Sequence, residues 1–377
     1  MVLHQSPGQS PGAKVLSPEP TAEKKVSAIK CWGVVGALFA AVTVYAITRW
    51  LYLGHARPTP QGDISAVSDW TWFWVRANEV LVVSVTVLVQ WKFVIKPWIQ
   101  TRRLSWDGMF CLAFAGLWLQ DPLSNAGKVW LQYSSLFVNL GCWQCHVPGW
   151  QPSHQENFVE PILFIGVMYA GFLPAWAMLC TVMMRKAKNR WPGMGPIGLI
   201  SVAVVTSAII DVVLEVPWLQ MNLYAFPGSI EWWSLFPAQR IAMPFNEAIT
   251  MGLFCGFAGA LRYYRDDKGR SIVERGVDRL KVAPRWVTPL RMLALYAALQ
   301  TVMFFGYTAP NYGLSLHGGD RPADTYSDQL TNLMCGPKTD QACPGTQIPM
   351  VVGPDSARVT SDGKLFAPAG LPTEPAN

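Results

Sequence analysis

The sequence predicts an all-α polytopic membrane protein: a bundle of about seven transmembrane helices, with the N-terminus cytoplasmic and the C-terminus outside. Three observations predict it. The 377 residues are 51% hydrophobic and only 14% charged, whereas soluble domains carry about a quarter charged residues. Seven apolar segments approach the ~20 residues that a bilayer-spanning helix needs. Basic residues, finally, concentrate in alternate loops.

The segments fall at about 31–53, 73–95, 106–120, 158–183, 194–216, 241–262 and 288–308, the third being the shortest. Residues 1–30, with SPGQSPG and SPEPT, form a polar tail that reads as disordered and cytoplasmic. The first apolar run starts too late and is too long for a cleaved signal peptide, so it reads as a true span. Residues 31–308 constitute the transmembrane domain, and 309–377, rich in Pro, Gly and Asp, an irregular external tail. Within the loop after segment six, Ile272, Val273, Val277 and Leu280 predict a short amphipathic helix on the inner surface.

Charge placement sets the topology. Lys14, Lys24, Lys25 and Lys30 lie in the tail; Lys92, Lys96, Arg102 and Arg103 follow segment two; Arg185, Lys186, Lys188 and Arg190 follow segment four. The loop after segment six carries Arg262 through Arg291, while the other three loops hold only Arg57, Lys128 and Arg240. The net charge of +6 is therefore a topology signal, and it argues against nucleic-acid binding. The chain is expected in the cell membrane as a multi-pass protein. Nothing in the pattern specifies an oligomer.

One motif suggests redox chemistry. Cys142-Trp-Gln-Cys145-His146 has the spacing of a c-type haem attachment site, on the outer side. The five histidines His4, His55, His146, His154 and His317 all lie outside the apolar segments, so no intramembrane pair offers haem ligation. Two loop cysteines, free or disulfide-linked, beside a histidine without a ligand role are the simpler expectation. Zinc would want a fourth ligand beyond His154. No metal or cofactor is expected. Cys335 and Cys343, eight residues apart on the oxidising side, are a second plausible disulfide.

The acidic residues are more informative, because intramembrane charges are expensive and mark function. Segment two carries Arg76 and Glu79, segment three ends in Gln120 and Asp121, and segment four opens with Glu160. Segment five contains Asp211 and Glu215, four residues apart on one helical face. Segment six contains Asn246 and Glu247. In the predicted topology all six acids fall in the outer half, which points to one polar cavity between helices. Close carboxylates there divide into a general acid and an anion able to stabilise an oxocarbenium ion or carbocation. Structural roles compete: Asp121 and Glu160 also suit helix ends. Trp70, Trp72, Trp74, Trp143, Trp150, Trp218, Trp232 and Trp233 lie near the outer interface, where an aromatic belt accounts for them and an aromatic site wall is the alternative.

The acidic segments also carry a resemblance. VIKPW (94–98), WDGMF (106–110), WLQDPLSN (118–125), NLG-x-W (139–143), PGW (148–150), EPILF (160–164) and DVVLE (211–215) together resemble the AveC-like spirocyclase family. The resemblance implies a membrane enzyme that closes a polyketide dihydroxy-ketone to a spiroketal, with or without a dehydration step. It takes in Gln120, Asp121, Glu160, Asp211 and Glu215. It shares the frame Gly141, Trp143 and Pro148-Gly149-Trp150, without requiring Cys142, Cys145 or His146.

The resulting expectation is a cyclase acting by carboxylate acid/base catalysis on a lipophilic small molecule drawn from the membrane lipid. Asp211, Glu215, Glu247, Glu160 and Asp121 are the catalytic candidates. Glu79, Arg76, Gln120, Asn246, Trp143 and Trp150 are the substrate-binding candidates. A membrane terpene cyclase, in which one carboxylic acid starts a carbocation cascade, is the first alternative. A non-enzymatic lipid- or proton-linked binding or transport protein is the second.

Overall fold

The computed structural model describes residues 27–318 apart from 60–63, 66, 126–128, 151–157 and 238, together with 328–331, 358–359 and 365–366. Each of the seven predicted segments contains a helix. They are α1 (Ala28–Tyr52), α2 (Asp69–Thr101), α3 (Trp106–Ala115), α4 (Ile162–Ala170 and Phe172–Arg190, bent by 40°), α5 (Pro196–Gln220), α6 (Phe245–Tyr263) and α7 (Pro284–Ser315).

Four of these, α1, α2, α5 and α7, are long and apolar enough to cross a membrane, and α4 is a fifth if its two limbs count as one span. The expected seven spans are therefore met only in part. Helix α3 has ten residues and gives way to a 3-10 stretch, Gly116–Asn125, interrupted by Pro122. Helix α6 is long enough, yet Asn246, Glu247, Thr250 and Arg262 are all buried along it. Its polar groups face protein, not lipid, which is why it forms the centre of the bundle. The apolar surfaces of α1, α2 and α5, by contrast, are largely exposed: Leu38, Leu88 and Val213 are each more than 60% accessible.

Small residues let the central helices approach. A Cβ at Gly256 would lie 2.9 Å from the Val204 backbone on α5, and one at Gly259 would lie 2.7 Å from the Ala177 carbonyl on α4. On the other side, Gly36 of α1 packs against α7 so closely that a Cβ would come within 2.1 Å of the Leu293 carbonyl oxygen. Helix α7 continues through a π turn at Phe304–Thr308 and ends at Ser315, past the expected boundary at 308.

Two short ribbons close one end. Strand β1 (Gln132–Tyr133) pairs antiparallel with β2 (Tyr224–Ala225), with Tyr133 opposite Tyr224. Strand β3 (Ser234–Leu235) pairs with β4 (Met243–Pro244), immediately before α6.

At the other end the expected amphipathic helix is absent. Ile272–Glu274 and Val277–Arg279 are separate 3-10 turns, divided by Gly276 at φ +90°. Val273 and Val277 are buried while Ile272 is 57% exposed, so the four apolar residues do not share one face. A capping box sets the first turn: the Ser271 hydroxyl and backbone N–H both donate to Glu274. Glu274 is fully buried and also accepts from the Trp106 indole (2.7 Å) and Arg291 Nε (2.7 Å). The tails, including Cys335 and Cys343, lie mainly outside the described residues.

The close approach of α1 and α7 makes a direct prediction. Gly36→Ala should lower thermal stability in detergent by about 1–3 kcal/mol through overpacking. Gly193→Ala, where nothing lies within 4 Å of the added methyl, should leave the unfolding temperature unchanged.

Candidate active site

Five of the six acids singled out in the sequence gather at the ribbon-bearing end of the bundle. A narrow cavity of about 50 Å³ there is lined by Asp121, Glu215 and Glu247, by Tyr133, Tyr169, Tyr224 and Tyr307, and by apolar side chains including Phe164, Met168, Trp218 and Met251. The polar groups come from every part of the fold. Asp121 sits in the 3-10 stretch after α3, Tyr133 on β1, and Tyr169 on the first limb of α4. Glu215 lies on α5, Tyr224 on β2, Glu247 in the first turn of α6, and Tyr307 in the π turn of α7. The β1–β2 register brings the Tyr133 and Tyr224 rings edge to face, 6.0 Å apart.

The carboxylates are solvated very differently. Asp121 accepts two phenolic hydrogen bonds, from Tyr169 to Oδ1 (2.7 Å) and from Tyr133 to Oδ2 (3.0 Å). Glu247 accepts from the Trp130 indole (3.2 Å) and the Asn311 amide (3.1 Å) on one oxygen. Its place in the first turn of α6 also puts it at the positive end of the helix dipole. Asp211, only 1% exposed, has no hydrogen-bond partner on either oxygen, and Glu215 Oε2 has none. Carboxylate oxygens of Asp211, Glu215 and Glu247 nevertheless lie within 4.8 Å of one another. Among the described residues, none of these acids is in an ion pair.

Such an arrangement suits proton transfer. Hydrogen-bond donors to Asp121 stabilise negative charge, while unpartnered carboxyl groups packed together and away from water favour a shared proton. The same three oxygens have the donor type and spacing of a divalent-cation site, but the aspartate's lack of any orienting hydrogen bond is unlike the supporting contacts that ligating carboxylates usually receive.

The remaining candidates do not line the cavity. Glu160 is fully buried beside Asp121, holds the Trp118 indole at 2.7 Å and does not line the cavity. Gln120 bonds to Gln300 and Thr308, and Asn246 donates to Asn311 (3.0 Å), so it supports Glu247 indirectly. Arg76 pairs with Glu79 and donates to the Leu136 carbonyl (2.7 Å), while Glu79 accepts from the Val138 N–H (2.8 Å). This pair fastens a loop to α2. Trp143 packs edge to face on Trp50 and Trp118, with its indole donating to Leu119, and Trp150 packs on Tyr312.

Within the CWQCH motif, the His146 Nε2 lies 3.1 Å from His55 Nδ1, and Cys142 is fully buried. The Cys145 side chain is outside the described residues. The motif thus packs a loop against the end of α1. The four tyrosines of the cavity escaped the sequence analysis because they sit in short connections and helix breaks, where no periodicity marks them.

Comparison with known proteins adds the decisive observation: the family model for AveC-like spirocyclases matches residues 101–331, more than half of the chain. The chain belongs to the AveC-like spirocyclase family. No curated protein and no solved structure matches it. Every acid and tyrosine of the cavity lies inside the AveC-like region, whereas Arg76 and Glu79 precede it.

The Arg76–Glu79 pair supplies a structural control. Glu79→Gln would set an amide N–H₂ against the guanidinium and should cost about 1–3 kcal/mol of stability. Turnover per folded molecule should stay within a few-fold of wild type, measured alongside thermal unfolding.

Proposed function

We propose that the protein is an integral membrane cyclase that closes a lipophilic dihydroxy-ketone of polyketide type to a spiroketal by proton transfer between carboxyl groups. Membership of the AveC-like family supports the reaction class. The observation that carries the mechanism is the unequal hydrogen bonding of neighbouring carboxylates: Asp121, held by two phenols, lines the cavity with Glu215, whose Oε2 has no partner, while Asp211 beside Glu215 has no partner on either oxygen. The proposed topology has the N-terminus cytoplasmic, and the cavity opening toward the outer leaflet.

The chemistry runs in three steps. One hydroxyl adds to the ketone carbon, its proton passing to a carboxylate while the ketone oxygen gains one, giving a hemiketal. The Asp211–Glu215–Glu247 group then protonates the hemiketal hydroxyl, which leaves as water. The resulting oxocarbenium ion is stabilised by Asp121 and by the faces of the surrounding aromatic rings. The second hydroxyl attacks this cation and loses its proton to the same carboxylates. The net change is loss of one water, with no change in oxidation state.

Tyr133 and Tyr169 keep Asp121 oriented, and the four tyrosines, with Phe164 and Trp218, exclude water that would otherwise intercept the cation. A cavity of about 50 Å³ admits little more than water, so substrate entry requires the walls to part. Met168 and Met251 are unbranched and adaptable, and they are the wall residues best suited to move.

Asp211→Asn and Glu215→Gln should each lower turnover of a synthetic dihydroxy-ketone by about 10²–10⁴-fold while the protein still inserts and purifies as a folded species. Wild-type rates in both would refute the assignment. Tyr133→Phe with Tyr169→Phe should lower kcat with little effect on KM, as expected for groups that steady an anion in the transition state. Chiral chromatography of the product reads rate and stereochemistry together.

A further inference from the structure

The ends of the bundle differ in kind. Opposite the acidic cavity, where α1 begins, lies a second and much larger cavity of about 770 Å³. Its walls are the start of α1 (Ser27, Ala28, Lys30) and the loop from Asp266 to Leu280. Five cations line it, Lys30, Lys268, Arg270, Arg275 and Arg279, together with three acids, Asp266, Asp267 and Asp278.

The charges are not interchangeable. Asp278 accepts both Arg270 nitrogens (2.5 and 2.7 Å) and Lys268 (3.1 Å), and these bonds hold its carboxyl down at about 2. Asp266 accepts the backbone N–H groups of Lys268 and Arg270 at 3.0 and 2.9 Å. Two of the three acids are therefore committed within the loop. Among the described residues, the side chains of Lys30, Arg275 and Arg279 form no ion pair, and the five cations outnumber the three acids, so the cavity lining is net positive.

The backbone that carries these cations is held in place. The Arg275 carbonyl accepts from the Ile29 N–H (3.3 Å) and the Ser27 hydroxyl (3.4 Å). Gly276 is in the left-handed region, and a Cβ there would come within 2.2 Å of the Ser27 hydroxyl. Glu274, buried and bonded to Ser271, Trp106 and Arg291, anchors the loop from below. The first turn of α1 contains no acidic residue, so its dipole adds to the positive field.

We infer that this cavity binds the phosphate headgroup of an anionic phospholipid, with Arg275 and Arg279 on one wall and Lys30 on the other. The surroundings favour a lipid over a free ion. Ile272, in the loop between the cavity-lining Arg270 and Arg275, is 57% exposed, and α1 continues away from the cavity with Val34 and Leu38 more than 60% exposed, an apolar path for acyl chains. Paired acids set the preference for negative headgroups: a zwitterionic choline would bring its cation among Lys30, Arg275 and Arg279. The inference is independent of the cyclase reading, since it concerns the opposite end of the molecule.

The test uses the full chain purified in mild detergent and titrated with phosphatidylglycerol or phosphatidylcholine, with bound lipid read by native mass spectrometry. Phosphatidylglycerol should be retained about tenfold better. Arg275→Gln with Arg279→Gln should remove most of that preference, and Lys30→Gln alone, from the opposite wall, should weaken it several-fold. Arg185→Gln with Lys186→Gln, at the end of α4, should leave it unchanged. Equal retention of the two lipids, or equal losses in the two double variants, would overturn the site. If inorganic phosphate alone raises the unfolding temperature as much as phosphatidylglycerol does, and displaces it, the lipid assignment falls.

Discussion

A carboxylate buried among apolar helices must be met by a counter-charge, by hydrogen-bond donors or by a proton, because leaving it ionised and alone costs several kcal/mol. This protein uses the first two solutions at some positions and withholds both at one. Glu79 has Arg76 and a backbone N–H. Glu274 has an indole, a hydroxyl, an amide and a guanidinium. Asp107 has Arg262 in a two-point contact. Asp121 has two phenols. Asp211 has none of these, and it lies in the same group as Glu215 and Glu247. The acids thus range from fully partnered, as at Glu274, to wholly unpartnered, as at Asp211, and the proposed chemistry rests on the unpartnered end of that range.

The fold serves this gradient by bringing helix breaks to one place. The 3-10 stretch after α3, the bend in α4, the last turns of α5 and the π turn of α7 all border the cavity. Helix irregularity of this kind is tolerated at membrane depth where it is buried in protein. Each break frees a side chain from the helical face it would otherwise follow: Asp121, Tyr169 and Tyr307 all point inward from such positions. Glycines on α6 draw α4 and α5 tightly around it, so that Glu247 meets Glu215 without intervening bulk. The basic end of the bundle is built from opposite materials, with long cations on exposed loops and acids consumed by local pairs.

Much of this was legible in the sequence. Helices were found in all seven places because apolar runs of that length and composition have few alternatives. Asp211 and Glu215 were identifiable because their spacing of four fixes one face of a helix. Glu79, by contrast, carried the same signal of an acid in an apolar segment, yet its role depends on Arg76 and on a loop sixty residues away. The inner-surface helix does not form because the pattern Ile272, Val273, Val277, Leu280 is interrupted by the left-handed turn at Gly276, which divides two 3-10 turns. The seven-span count is met only in part for two reasons: α3 gives way after ten residues to a 3-10 stretch, and α6 carries polar residues that are buried against protein.

The sequence by itself determined the helical class, the family and the acids worth attention, since each rests on local composition, spacing or a run of matching residues. Only the tertiary structure decided which acids are satisfied and which are not. That property belongs to the partners, and for Asp121 the partners are tyrosines 12 and 48 residues away in the chain. A side chain's own sequence neighbourhood carries no record of a donor delivered by another segment, so the site became visible only when the segments met.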